Sequence, residues 1–172
     1  MISAERFQKI RAVISDIDGV LTDGTVGYGT SDFIKFFNYR DGPWMKMAKR
    51  QGYIVGLISG RSSEANRMRA KELGLDFCKE DRINKLLAFE EVLAEFNLKP
   101  EECMYVGDDV IDAPVMRRAG IGVAVADAVP FLDEVADWRL NTPGGHGVFV
   151  EIFERLFKES GVYDEVLERY RK

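Results

Sequence analysis

The sequence predicts a doubly wound α/β domain with a mostly parallel sheet, and three observations point to it. Short apolar runs stand at Ala12-Val13-Ile14, Tyr53-Ile54-Val55-Gly56-Leu57-Ile58, Cys103-Met104-Tyr105-Val106 and Ile121-Gly122-Val123-Ala124-Val125. Unbroken runs of this kind suit strands buried on both faces, as in a parallel sheet. Longer stretches of helical period lie between them, and strand alternating with helix marks a parallel architecture. The first three runs each end in a polar or glycine-containing turn: Ser15-Asp16, Ser59-Gly60 and Gly107-Asp108.

The helices follow from caps and periodicity. Asp41 is placed to cap a helix running to about Arg50, which Gly52 ends. Ser62 or Ser63 opens a second helix that stops at Gly74. A third runs from about Ile83 to Phe96, where Ile83, Leu86, Leu87, Leu93 and Phe96 recur at three- and four-residue spacing before Pro100. A shorter helix begins near Pro114, a residue tolerated in a first turn. Val148 to Phe157 reads as a last core helix, and the charged segment from Lys158 to Lys172 either extends it or trails as a tail. One segment breaks the rhythm: Thr25 to Tyr28 and Phe33 to Phe37 flank Gly29-Thr30-Ser31-Asp32, a β-hairpin inserted after the first strand. With no repeat and no linker, the chain reads as a single domain over 1–172, with a core of about 10–157 and a charged tail at 158–172.

Composition narrows the chemistry. Twenty-four Lys plus Arg against 29 Asp plus Glu leave a net charge of −5, which argues against a general nucleic-acid binder. No stretch approaches the roughly 18 apolar residues of a membrane span. The start, MISAERFQKIRAVIS, lacks the pattern of a secretory signal, and the two cysteines suggest no disulfide framework, so a cytoplasmic location is expected. His146 is the only histidine, so acid/base work falls to carboxylates or a lysine unless it runs through that residue.

Four signals carry chemistry. Asp16 and Asp18, with Gly19 letting the chain turn, leave the first strand where ligands of open α/β sheets bind. Asp108, Asp109 and Asp112 follow a later strand, and three acids in five positions repel one another unless a cation or basic group neutralises them. Oxygen-only ligands suit Mg²⁺, although acids are also welcome at a plain helix N-terminus. Ser59-Gly60-Arg61 can cradle phosphate at a helix entry, and is equally an ordinary turn. Lys85, at the start of the third helix, can offset crowded negative charge.

In that chain order, acid pair, hydroxyl, lysine and acid cluster, the sequence resembles the haloacid dehalogenase superfamily of phosphotransferases. Asp16-Ile-Asp-Gly-Val-Leu-Thr-Asp-Gly24, Arg40-Asp-Gly42, Ile58-Ser-Gly-Arg61, Val106-Gly-Asp-Asp109, Asp112-Ala-Pro-Val-Met116, Val123-Ala-Val-Ala-Asp-Ala128 and Gly144-Gly-His-Gly147 resemble its small capless branch of sugar-acid phosphatases, from about Val13 to Phe157. The resemblance implies a Mg²⁺-dependent phosphatase in which Asp16 attacks phosphorus and Asp18 serves as acid and base. It implies that Asp16, the main-chain carbonyl of Asp18, and Asp108 hold Mg²⁺. Ser59 and Lys85 would grip the phosphoryl group, with Asp109 and Asp112 in support. It also implies a homotetramer assembled through the hairpin, whose aromatics Tyr28, Phe33, Phe36 and Phe37 fit a buried interface and equally fit packing within one subunit. The implied substrate is an eight- or nine-carbon sugar acid carrying a terminal phosphate, the octulosonate 8-phosphate ahead of the nonulosonate 9-phosphates, whose carboxylate would meet Arg61 or Arg40. Lys79 competes with Lys85 for the lysine role, because the segment Phe77 to Lys85 departs from the family pattern. Trp44 and His146 depart from it too, at places where the sugar would be read. Two readings of another class compete, a phosphorelay receiver and a catalytically silent oligomerisation domain. Asp18, two residues beyond Asp16, argues against a receiver, and the complete set of acids argues against silence.

Overall fold

The computed structural model describes residues 2–29 and 33–172, so Thr30, Ser31 and Asp32 of the expected hairpin turn lie outside the described residues. A six-stranded sheet forms the centre: β1 (Ala12–Ser15), β4 (Ile54–Ile58), β5 (Phe77–Lys79), β6 (Cys103–Gly107), β7 (Ile121–Ala124) and β8 (Trp138–Arg139), in the order β5-β4-β1-β6-β7-β8. Every pairing in it is parallel. A two-stranded antiparallel ribbon, β2 (Gly27–Tyr28) with β3 (Phe33–Ile34), follows β1 as expected. Strand order reverses at β1, so β1 and β6 leave a crevice between their carboxyl ends, and ligands bind at such a switch point.

The helices are α1 (Ala4–Gln8), α2 (Asp41–Arg50), α3 (Glu64–Leu73), α4 (Lys85–Phe96), α5 (Ala113–Arg118), α6 (Val148–Glu159) and α7 (Tyr163–Glu168). α2 packs beside α3 and α6, while α4 packs beside α5, giving two helical layers around the sheet. β1, β6 and β7 are buried along their whole length, as their unbroken apolar runs require. On α6, Val148, Phe149, Ile152, Phe153, Leu156 and Phe157 form one buried face, the heptad-like spacing of a core helix.

Several expectations change. The 158–172 segment is not a trailing tail: α7 folds back on α6, burying Val166 and packing Val162, Tyr163 and Leu167 against the core. The stripe of α4 is rotated from the expected one. Ala88, Phe89, Val92 and Leu93 face the core with Lys85, while Ile83 precedes the helix and is 83% exposed, and Leu87 is 57% exposed. The inward lysine explains the error, because a charged residue on the buried face interrupts the apolar pattern. The edge strands β5 and β8 and the helix α1 were not foreseen, being too short to show a period.

Asp41 caps a helix, but not its own. Its Oδ1 accepts the amide hydrogen of Phe149 at 2.9 Å, pinning the first turn of α6 to the start of α2. Its Oδ2 is buried and has no partner among the described residues. Burial pushes the Asp41 pKa up to about 6, the Phe149 hydrogen bond and Arg69 opposing. From about pH 4 to about 6 the folded chain therefore binds a proton that the unfolded chain has lost, and stability falls as pH rises through that window. Asp41→Asn keeps the Phe149 bond and removes the titration. We expect its stability to fall less between pH 5 and 7 than that of the parent, a difference of about 1 kcal/mol by denaturant titration.

Candidate active site

At the crevice, Asp16 follows β1 directly, its amide still bonded to the Val106 carbonyl of β6 at 3.0 Å. The next turn is tied by Thr22, whose Oγ1 accepts the amides of Gly19 and Gly24, each at 3.3 Å. Gly19 has φ +88°, and a Cβ there would lie 2.0 Å from Oδ2 of Asp108, so no other residue brings these loops so close. Gly144 also packs against this turn, since a Cβ on it would stand 2.0 Å from the Gly19 carbonyl oxygen. Gly145 then donates to the Val20 carbonyl at 2.9 Å. The glycine-rich turn thus supports the Asp16–Asp18 loop from behind.

The charges interlock around Lys85. Its side chain is fully buried, with Nζ 2.9 Å from Asp16 Oδ1 and 2.7 Å from Asp112 Oδ1. Burial works against the ammonium, but the attraction of Asp16 and Asp112 outweighs it and holds the Lys85 pKa above its ordinary value. Asp112 is saturated. Its Oδ1 also accepts the Tyr105 hydroxyl at 2.7 Å, and its Oδ2 accepts the amides of Asp108 at 3.1 Å and Asp109 at 3.3 Å. That carboxylate shapes the loop after β6 rather than facing the cleft.

Asp108 differs. Its Oδ1 is buried with no partner among the described residues. Burial raises its pKa, and repulsion from Asp16 and Asp112 raises it further. Burial likewise raises that of Asp16, with the attraction of Lys85 opposing. Oxygens of Asp16, Asp108 and Asp112 lie within 4.8 Å of one another. One buried lysine against three acids leaves a local negative excess and an orphaned carboxylate oxygen, which is what a bound divalent cation would satisfy.

In front of these groups lies a cleft of about 350 Å³ whose polar wall includes Asp16, Asp18, Ser59, Arg61, Lys85 and Asp108, with Val26, Ile83 and Ile111 on its apolar rim. Ser59 is buried, and its Oγ accepts the Arg61 amide at 3.1 Å, shaping the turn into α3. Asp109 lies on the rim and accepts the Val110 amide at 2.6 Å. Of the two lysines weighed for the site, Lys85 reaches it, while Lys79 pairs with Glu95 at 2.8 Å.

Arg40 is not brought to this cleft. It lines a separate groove with Thr142, His146 and Glu151, because Asp41 locks the start of α2 against α6. His146 stands in that groove, and Trp44 stacks on Phe157 with ring centres 6.2 Å apart. Neither departure from the family pattern therefore touches the cleft. Two residues at the site escaped the sequence reading. Lys35 binds Asp18, with Nζ 2.7 Å from Oδ1, and Tyr105 donates to Asp112. A buried Tyr inside an apolar strand is a faint signal, since a buried hydroxyl needs a partner.

Residues 40–120 match the haloacid dehalogenase-like hydrolase family. The chain is 39% identical over 159 residues to the 3-deoxy-D-manno-octulosonate 8-phosphate phosphatase KdsC of Escherichia coli K12, covering 92% of this chain and 85% of that one. Its fold superimposes on a probable yrbi family phosphatase of Pseudomonas syringae with a TM-score of 0.94 and 36% identity, over 98% of this chain and 97% of the other. The 3-deoxy-D-manno-octulosonate 8-phosphate phosphatase of Moraxella catarrhalis, crystallised with a magnesium ion, a phosphate ion and KDO, matches with a TM-score of 0.93 and 29% identity over 97% of each chain. With the acid pair, the buried lysine and the acid cluster meeting at one switch-point cleft, the chain belongs to the KdsC family of haloacid dehalogenase-like hydrolases.

Proposed function

We propose that this chain is a Mg²⁺-dependent phosphomonoesterase that hydrolyses 3-deoxy-D-manno-octulosonate 8-phosphate to the free sugar acid and phosphate. The observation that carries the reaction type is the meeting of Asp16 and Asp18 at one cleft with Ser59 and the buried Lys85. The substrate follows from membership in the family, whose members include the enzyme found with magnesium, phosphate and KDO.

In this reading a carboxylate oxygen of Asp16 attacks phosphorus while the bond to the sugar oxygen breaks. Asp18 gives its proton to that leaving oxygen. Water then attacks the aspartyl-phosphate, Asp18 takes the water's proton, and the Asp16 carboxylate is released with inorganic phosphate. Dividing the transfer in two lowers each barrier. Lys85 fixes the rotation of Asp16 by holding Oδ1, and with Ser59 it offsets charge on the phosphoryl oxygens. Asp16, Asp108 and the Asp18 carbonyl would hold Mg²⁺, which when bound supplies positive charge beside the phosphoryl group. Arg61, exposed on the cleft wall, is the partner for the sugar carboxylate.

A panel of phosphate esters tests the substrate. We expect kcat/KM for octulosonate 8-phosphate to exceed that for nonulosonate 9-phosphates and hexose phosphates by about tenfold or more. A lead for a nonulosonate 9-phosphate would move the assignment to that neighbouring activity, and a lead for a hexose phosphate would overturn the sugar-acid assignment. Arg61→Ala should raise KM for the sugar acid more than for an aryl phosphate, which has no carboxylate to lose.

We further propose that the chain acts as a homotetramer assembled through the hairpin. Tyr28, Ile34 and Phe36 present apolar surface to solvent, at 82%, 51% and 82% exposure, beside an open cleft. Phe37 turns inward under Arg69, and Phe33 packs edge-on to Tyr28. Phe36→Glu should therefore reduce both assembly and activity, read by light scattering and phosphate release. A fully active monomer would end this reading.

A further inference from the structure

We propose that Lys35 is a positioning residue for the reaction, aiming the Asp18 carboxylate at the cleft and tying it through Asn66 to the loop that holds Ser59. This rests on the reading of Asp18 as the acid/base group. Lys35 follows β3, and its side chain is 4% exposed. An ammonium carries three hydrogens, and Lys35 has three acceptors for them. Asp18 Oδ1 lies at 2.7 Å, Asp18 Oδ2 at 2.9 Å and Asn66 Oδ1 at 2.9 Å.

The contact continues beyond Lys35. Asn66 is fully buried in the first turn of α3, and its side-chain amide donates to the Arg61 carbonyl at 3.2 Å and to Glu80 Oε1 at 3.1 Å. The same Glu80 oxygen accepts the Ser63 amide at 2.9 Å. A line of hydrogen bonds therefore runs from Asp18, through the hairpin lysine, to the backbone two residues after Ser59. The terminal torsion of an aspartate is broad and leaves the carboxylate free to turn. Contact with both oxygens fixes its plane, and the Asn66 anchor fixes the lysine.

The placement runs against simple burial. Side chains alternate along an extended segment, and here Ile34 and Phe36 point outward at 51% and 82% exposure while the charged Lys35 side chain points in. A ribbon serving only to fill space would do the reverse. An inward ammonium is tolerated because its charge and hydrogens are matched, and the match lands on a carboxylate of the catalytic cleft.

The test compares Lys35→Met, Lys35→Arg, Asp18→Asn and the double variant Lys35→Met/Asp18→Asn in the full chain with Mg²⁺ and octulosonate 8-phosphate. Lys35→Met should lower kcat about 10- to 100-fold, as loss of alignment does, with KM and the unfolding midpoint little changed. Lys35→Arg, which keeps charge and donors, should recover most of that loss. Asp18→Asn should lose about 10²- to 10⁴-fold, as removal of a general acid/base does. Lys35→Met should then add no further loss in the Asp18→Asn background, because it acts through Asp18. If Asp18→Asn leaves no measurable rate, the kcat-against-KM split and the arginine rescue decide. If Lys35→Met does not fold, Lys35→Gln takes its place in every comparison. Full activity of Lys35→Met, a rise in KM with kcat unchanged, additive losses, or failure of rescue with a lowered midpoint would each overturn the proposal. A fully active Asp18→Asn would instead defeat the acid/base reading itself, and this proposal with it.

Discussion

Asp16→Asn should abolish turnover, by on the order of 10⁴-fold or more, in a protein that still folds. The amide has the shape of the carboxylate but no charge with which to attack phosphorus, the role proposed for Asp16. The fold should survive for an electrostatic reason. Burial pushes the Asp16 pKa up, so the folded chain binds a proton at pH values where the unfolded chain has lost it. Without a divalent cation, stability therefore falls as pH rises through that raised pKa, and a neutral amide escapes the loss. We expect the metal-free variant to melt no lower than the parent at neutral pH. Acid quenching during turnover should trap phosphate on the parent and none on Asp16→Asn. Substantial activity in a pure, folded sample would remove Asp16 from its role.

Loss of the cation should be nearly as severe. Chelation is expected to abolish phosphate release, and added Mg²⁺ to restore it. Binding only to the folded state also raises stability, by about 2.7 kcal/mol at one hundred times Kd, so the unfolding midpoint should climb with Mg²⁺ concentration. The two acids after β6, Asp108 and Asp112, should then separate. Asp108 has a buried oxygen with no partner among the described residues, and its pKa is raised by burial and by the repulsion of Asp16 and Asp112. Asp108→Ala relieves that repulsion, so the metal-free protein should be as stable as the parent while the Mg²⁺-dependent rise disappears. Asp112→Ala strips partners from Lys85, Tyr105 and the amides of Asp108 and Asp109. Breaking such a buried network costs about 3–5 kcal/mol, so this variant should lose stability even without metal. Differential scanning calorimetry with and without Mg²⁺ reads both effects. An undiminished Mg²⁺ shift in Asp108→Ala would exclude Asp108 as a ligand.

The hydrophobic runs, the glycines and the acid pairs were legible from the residues alone because each is a local constraint. Val13 and Ile14 need no distant partner to announce a buried strand, and Asp16, Asp18 and Asp108 stand just past apolar runs whatever the sheet order. Lys85 was legible only as a candidate beside Lys79, since a lysine in sequence is a surface residue until something buries it. Its place between Asp16 and Asp112 depends on α4 turning that side chain inward, a rotation the pattern of Ile83 and Leu87 concealed.

Folding alone sets the pairings between segments far apart in the chain. Asp41 caps α6 across 108 positions, which holds Arg40 in the groove with His146 instead of at the cleft. Asp112 is spent on Lys85, Tyr105 and two backbone amides, leaving Asp108 as the acid with an open oxygen. Lys35 reaches Asp18 across 17 positions and Asn66 across 31. Residue type and strand-end position are local properties, so Asp16, Asp18, Ser59 and Asp108 stand out in the sequence while Lys35 and Tyr105 do not. Which of those groups face one another was decided by tertiary packing, because a charged side chain settles where its partner has been folded to meet it.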